Sequence, residues 1–282
     1  MAQSKTGTRE WSVVSINIQR GCEHNCRYCY ARYNAVKIYK QCTAWQWSIP
    51  VINAAKVDGK YGFYDGTVMF PSTHDITPLN ISECLVVLSK LLEAGNQVLI
   101  VTKPTLSCVQ LMCEVFKKFD KKQITFRFTI GSMRDDILTF WEPGSALFEE
   151  RLKSLSCAYF EGYETSVSCE PYLDGFPHYI YEACLPYLTD SFWLGKLRHF
   201  NQRVFLDGAT DEQITKYVKT LQAAQSDTFV HELVHQLNGR QYIRWKDSIR
   251  EIIEEDSRES ERKLSMSQSP GQICNRKCSR RI

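Results

Sequence analysis

Six times along this chain a short run rich in β-branched and aromatic residues gives way to a turn and then to a stretch with helical spacing. That alternation marks repeated βα units, and it restricts the fold more than any other feature. 'SVVSINIQ' leads into a cysteine-bearing loop and a helix beginning near Tyr30; 'TVMFPST' leads through 'HDITPLN' into 'ISECLVVLSKLLEAG'. 'QVLIVTK' precedes a helix starting near Thr105, and 'ITFRFTIGS' precedes a long helix around 'SALFEERLKSLSCAYFEG'. 'TSVSCEPYL' is followed by 'HYIYEACLPYL', and 'SFWLGKL' is the last run. Helices from Asp211 to Ala224 and from Asp227 to about Glu255 are expected to complete the chain. Gly95 and Gly162 close two helices, and Asn80, Asp211 and Asp227 suit helix N-caps.

Strands apolar on both faces, alternating with helices, imply a parallel sheet covered by helices. Six units fall short of a closed eight-fold barrel, so the expected fold class is α/β, an open or partial βα barrel. In such sheets chemistry collects at the C-terminal strand ends. The polar residues that interrupt the apolar runs fall there. Cys22 to Cys29 follow the first strand, Ser72 to Asp75 the second, and Thr102 and Lys103 the third. Ser132 and Arg134 follow the fourth, Ser168 and Glu170 the fifth, and Lys196 and Arg198 the sixth.

With 282 residues, 43% of them hydrophobic, the chain can bury a full core, and its composition is neither that of a disordered chain nor that of a membrane protein. No apolar run reaches the roughly 18 residues that a bilayer span needs, and 'MAQSKTGTREW' lacks the apolar core of a signal peptide. The expected location is cytoplasmic, without a membrane partner. Residues 1–10 are expected to form a flexible N-terminus, 11–256 the barrel domain with its C-terminal helices, and 257–282 a basic, disordered tail. The net charge of +3 resides in that tail: no acid follows Glu261, while Arg262, Lys263, Arg276, Lys277, Arg280 and Arg281 are basic. A solvated terminus is the plain reading and a phosphate-binding arm the alternative. Twelve cysteines in a chain of this length and compartment do not imply a disulfide framework. Cys84, Cys108, Cys113, Cys157 and Cys184, in apolar helical contexts, are expected to be buried free thiols.

The loop 'QRGCEHNCRYCYARYN' is a different case, with Cys22, Cys26 and Cys29 within eight residues. A disulfide conflicts with the compartment, and a zinc site needs a fourth ligand, which His24 could supply. An iron cubane suits closely spaced thiolates, and three protein ligands leave one iron open to another molecule.

'CEHNCRYC' resembles the CxxxCxφC signature of the radical S-adenosylmethionine (radical SAM) superfamily, φ being aromatic, with Tyr28 in that place. 'VTKP', 'WEPGSALFEERLKSL', 'GYETSVSCEPYLD' and 'FWLGKL' look like segments of its spore photoproduct lyase-like branch, so the resemblance runs from Trp11 to about Glu255. It implies a partial (βα)6 barrel, a 4Fe-4S cluster held by Cys22, Cys26 and Cys29, and SAM on the open iron. It also implies reductive cleavage of SAM to a 5'-deoxyadenosyl radical that abstracts a substrate hydrogen, and an external electron donor such as a flavodoxin or ferredoxin. The branch points to a nucleic-acid substrate; a protein, peptide or small molecule is the alternative.

By the same resemblance Tyr28 should contact the adenine of SAM. The superfamily's glycine-rich segment after the second strand is absent, and 'PSTHD' stands there, so Ser72, Thr73 and Asp75 are the candidate acceptors for the SAM amine. His74 reads more simply as a structural hydrogen-bond partner. Lys103 and Arg134 could neutralise the SAM carboxylate or a substrate phosphate, or form structural ion pairs. Glu170, aimed by the following Pro171, is expected to bond the ribose or amine of SAM. Strand alternation sends Cys169 the other way. No residue is singled out as catalytic.

Two readings from other classes stand beside this one. The first is a zinc-binding interaction module on Cys22, Cys26, Cys29 and His24. The second is a metallohydrolase on 'HELVH', His231 to His235, whose spacing matches HExxH; no third ligand is evident. Cys274 and Cys278, in 'CNRKC', are too few to hold an auxiliary cluster.

Overall fold

The computed structural model describes residues 6–206, 212–255 and 258. In chain order its strands are β1 (Val14–Ser15), β2 (Gln19–Arg20), β3 (Val51–Ile52), β4 (Val68–Phe70), β5 (Val98–Thr102), β6 (Ile124–Thr129), β7 (Glu164–Cys169), β8 (Phe192–Leu194) and β9 (Ile243–Trp245). Seven of them form one sheet in the order β1, β4, β5, β6, β7, β8, β9, every neighbouring pair parallel. The ladder ends at β1 and β9, which leaves the barrel open. β2 and β3 pair antiparallel as a separate ribbon.

Side-chain alternation gives the sheet two faces. Phe126 and Phe128 of β6, and Phe192 and Leu194 of β8, are fully buried in the main apolar core. The helices cover that face. Ile81–Glu93 packs through Cys84, Val87, Leu88, Leu91 and Leu92, the three-and-four spacing of one helical stripe. It ends before Gly95, whose φ of +82° suits glycine. The opposite, inner face carries Arg127 and Trp193, and Trp11 lies against both: its ring is 5.7 Å from Trp193, and the Arg127 guanidinium stands 4.8 Å over it.

The sheet has one strand more than the sequence predicts. The helix expected from Asp227 to about Glu255 is broken: it runs Asp227–Leu237, turns at Gly239 with φ +78°, gives β9, and resumes over 247–255. A glycine in the left-handed region cannot continue a right-handed helix, and Ile243 and Trp245 extend the sheet beside β8. The N-cap of that helix is Ser226, whose hydroxyl accepts from Phe229 N, rather than Asp227. Asn80 holds an N-cap position as expected, while Asp211 lies outside the described residues.

The expected flexible N-terminus is also corrected in part. Gly7–Glu10 forms a 3-10 helix fastened to the segment after β9. Gly7 N donates to Asp247, Lys246 Nζ donates to Gly7 O at 2.8 Å, and Glu10 pairs with Lys246 at 3.0 Å and Arg250 at 2.9 Å. These contacts bridge the chain before the first sheet strand to the chain after the last. All five helical cysteines are free thiols, buried except Cys157, which is half-buried. No helix among the described residues is long and apolar enough to cross a membrane. The tail's cysteines, Cys274 and Cys278, lie outside the described residues.

Candidate functional site

The strand ends converge on a cavity of about 320 Å³, lined by Cys22, Cys26 and Cys29 together with Tyr28, Ser72, Asp75, Lys103 and Glu170. Residues drawn from widely separated strand-to-helix connections thus meet at one mouth. Arg134 is not among them. It is exposed and its guanidinium pairs with Asp136 at 2.7 Å, two residues ahead on the same helix start, so the structural ion-pair alternative describes it.

Cys22 and Cys26 are buried and Cys29 is half-buried, and none forms a disulfide. Burial is the largest influence on each thiol and pushes all three up from their ordinary value. The loop is held on one side by Cys22 N donating to Trp47 O at 2.9 Å and on the other by Arg27 N donating to Trp141 O at 2.9 Å.

Asp75 ties this loop to the sheet. Its Oδ2 lies 3.0 Å from His24 Nδ1 and 3.6 Å from Lys103 Nζ, while Oδ1 accepts from Lys103 N at 2.7 Å and Thr102 Oγ1 at 3.0 Å. Burial works to raise the Asp75 carboxyl, and Lys103 followed by His24 outweigh it, holding it well below the usual carboxylate range. Asp75 is therefore already engaged by protein donors. Ser72 accepts from Asn17 Nδ2 at 2.9 Å, and Asn17 Oδ1 receives the amides of Ser72 and Thr73. His74 is satisfied structurally, one ring nitrogen against Ile18 N and the other against Asp75 O.

Tyr28 is buried, and its hydroxyl donates to Glu142, with Lys103 Nζ 5.9 Å from its ring centroid. Across the cavity Glu170 sits 3.5 Å from Lys246. Burial pushes its carboxyl up to about 7, Lys246 pulling down and Asp247 and Glu10 adding to the rise. Gly195 makes room for this pair, since a Cβ there would lie 2.8 Å from Glu170 Cγ and 3.0 Å from Lys246 Cγ. Cys169 is buried in the main core, as strand alternation requires.

The donor set discriminates between kinds of metal. At a Zn–S length of about 2.3 Å, two thiolates on one zinc lie no more than about 4.6 Å apart. Among the described residues the three thiols are not a group whose ligand atoms lie within 4.8 Å of one another; Cys22, His24 and Asp75 are. Three thiols that line one cavity without closing into a single-ion group fit a multi-iron cluster, in which each thiolate binds its own iron. The 'HELVH' helix packs through Val230, Leu233 and Leu237, leaving Glu232 and His235 exposed, and no three-ligand group forms there among the described residues. The metallohydrolase reading is thereby set aside.

A second and larger cavity, about 1070 Å³, adjoins the first and shares Tyr30, Ala31, Trp47, Ser72 and Thr73 with it. None of the described residues lining it is acidic. Its cations, Arg20 and Lys56, hydrogen-bond to main-chain carbonyls of Gln41 and Asn17. Asn17 and Lys246, which line the cavities, were not foreseen, and neither was the role of Glu142 as acceptor for the Tyr28 hydroxyl, although Glu142 stands in the segment 'WEPGSALFEERLKSL'.

No family model matches the chain, and no curated protein matches it. Among solved structures it is similar to Streptococcus suis SuiB bound to S-adenosylmethionine, with a TM-score of 0.50 and 9% identity over 83% of this chain and 50% of that one. It is also similar to a spore photoproduct lyase variant with dinucleoside spore photoproduct, with a TM-score of 0.48 and 15% identity over 82% of this chain and 76% of that one. The chain spans half or less of SuiB. Both are radical SAM enzymes, the class that the cysteine loop resembles. At 9% identity the likeness to SuiB, with its TM-score of 0.50, concerns the fold alone, a partial barrel.

Proposed function

We propose that this chain is a radical SAM enzyme acting at the mouth of its partial barrel. One observation carries the reading: Cys22, Cys26 and Cys29, spaced as in 'CEHNCRYC', line one buried cavity at the C-terminal strand ends with Tyr28 and Lys103 beside them. Bound there, a 4Fe-4S cluster with SAM would supply reductive cleavage to a 5'-deoxyadenosyl radical for hydrogen abstraction, driven by an external one-electron donor.

The chain's own residues would orient that chemistry and keep it dry. Cys22, Cys26 and Cys29 would hold the cluster. Tyr28 would offer its ring to the adenine, and Lys103 would stand beside the SAM carboxylate while Asp75 fixes its ammonium. Glu170 and Ser72 remain the candidate partners for the ribose and amine.

The acid-free second cavity, with Arg20 and Lys56 unopposed by carboxylates and the exposed Tyr39 ring on its wall, supports a nucleic acid as the substrate that reaches this centre. A protein, peptide or small molecule is the rival. Affinity for a single-stranded oligonucleotide should fall about tenfold in the Arg20→Ala, Lys56→Ala double variant, the size expected for two phosphate contacts. Unchanged affinity would favour the rival.

Anaerobic reconstitution tests the cofactor reading. The protein should turn brown, bind iron with inorganic sulfide, and release 5'-deoxyadenosine when SAM and a reductant are added, and Cys26→Ala should abolish all three. A colourless zinc protein would support the interaction-module reading instead.

A further inference from the structure

The segment Phe140–Gly144 is bonded to the cysteine loop at four places. Arg27 N donates to Trp141 O at 2.9 Å, and Gly144 N donates to His24 O at 3.2 Å. Arg27 Nε donates to Phe140 O at 2.8 Å, with its guanidinium 4.6 Å from the Phe140 ring centroid. Tyr28, inside the loop, donates its hydroxyl to Glu142 Oε1. Behind Glu142 stands Arg151, fully buried, which donates to Glu142 Oε2 and, at 3.1 Å, to Thr129 O at the end of β6.

Two details separate this arrangement from ordinary packing. Gly144 is pressed against the loop's backbone: a Cβ there would meet Glu23 O at 2.4 Å and His24 Cα at 2.8 Å, neither of which is a flexible side-chain end. Its φ is not in the left-handed region, so close approach rather than backbone conformation accounts for the glycine. The buried Glu142–Arg151 pair is also an expensive way to fill a core, which apolar side chains would fill as well. Its carboxylate, however, has a second oxygen that reaches Tyr28.

We infer that the turn after the helix Asp135–Trp141 is a latch that sets the cysteine loop in place before any cofactor arrives, and that Glu142, held by Arg151, is the positioning residue for Tyr28. Its purpose rests on the cofactor reading above, whereas its geometry belongs to the chain alone. Sheet, arginine, carboxylate and tyrosine form one line from Thr129 to the loop. The aromatic ring is thereby fixed at its far end, with its face left toward Lys103.

Hydrogen exchange of the cofactor-free protein, followed by mass spectrometry, tests this. Tyr28→Phe removes only the hydroxyl, and Gly144→Ala forces the turn off the loop. Exchange over residues 22–29 should quicken about tenfold in both variants, as expected when a local opening loses one anchoring hydrogen bond, while β6 exchanges as before. Iron retained after reconstitution should fall in the same two variants. Wild-type exchange over 22–29 in Tyr28→Phe would overturn the role given to Glu142, and this variant decides the matter should Gly144→Ala fail to fold. A wild-type protein that binds no iron would end the cofactor reading, and the exchange result would still decide the latch.

Discussion

His24, inside the cysteine loop, meets the Asp75 carboxylate with Nδ1 at 3.0 Å, which joins the loop to the strand end from which Asp75 also reaches Lys103. The loop's position is thus coupled to a buried charge pair rather than left to the loop itself. Removing the carboxylate would leave Lys103, buried and charged, without its partner.

Asp75→Asn should therefore cost about 3 kcal/mol of stability at neutral pH, the loss typical of a broken buried pair. The sign of its pH dependence follows from the depressed Asp75 carboxyl. Its contribution is present above the unfolded value of about 3.9 and is lost as pH falls through the lower folded value. Denaturant unfolding should show a gap between wild type and variant that is flat from about pH 5 to 8 and closes only in stronger acid. A gap that opened as pH fell would contradict the assignment.

Glu170 has the opposite sign. Its carboxyl, raised to about 7, is more easily protonated in the folded protein than in the unfolded one, so its ionisation destabilises. Relative to Glu170→Gln, the wild type should lose roughly 3 kcal/mol as pH rises from about 5 to about 8, at 1.36 kcal/mol per unit. Paired chemical denaturation at several pH values measures this; parallel curves would rule it out.

Lys246 holds the N-terminal segment. Lys246→Met would leave Glu10 and Glu170 without their shared cation and Gly7 O without its donor. Limited proteolysis should then cut near Arg9 where the wild type resists, with a loss of about 3 kcal/mol or more in stability. Resistance equal to wild type would mean that Trp11 and the Gly7–Asp247 and Glu10–Arg250 contacts hold the segment without Lys246.

Arg134 supplies the contrast. Exposed and paired with its near neighbour Asp136, it should be replaceable by Ala with a stability change within about 0.5 kcal/mol. Iron content and SAM affinity should match the wild type. A marked fall in SAM affinity would return it to the site.

The strand ends and the cysteine loop were legible in the sequence because each rests on local pattern: apolar runs, a polar break, a fixed spacing of thiols. Cys169 and Glu170 were correctly sent to opposite sides by strand alternation alone. What was not legible depends on long-range pairing. Glu142 lies 114 residues from Tyr28, and no spacing rule connects them. β9 was hidden inside a charged, helical-looking run because it is only three residues long. With it went Lys246, which the sequence placed within the helix expected from Asp227 to about Glu255 and the structure places in the cavity. Arg134 misled for a related reason: standing after a strand does not aim a side chain inward when a carboxylate two residues on offers a nearer partner.

Electron paramagnetic resonance of the anaerobically reconstituted, dithionite-reduced protein, recorded with and without SAM, tests the central claim most directly. A reduced four-iron cluster at Cys22, Cys26 and Cys29 with an open iron should give a signal that shifts when SAM is added and is lost in Cys26→Ala. No signal, in a protein carrying zinc and no inorganic sulfide, would contradict the account.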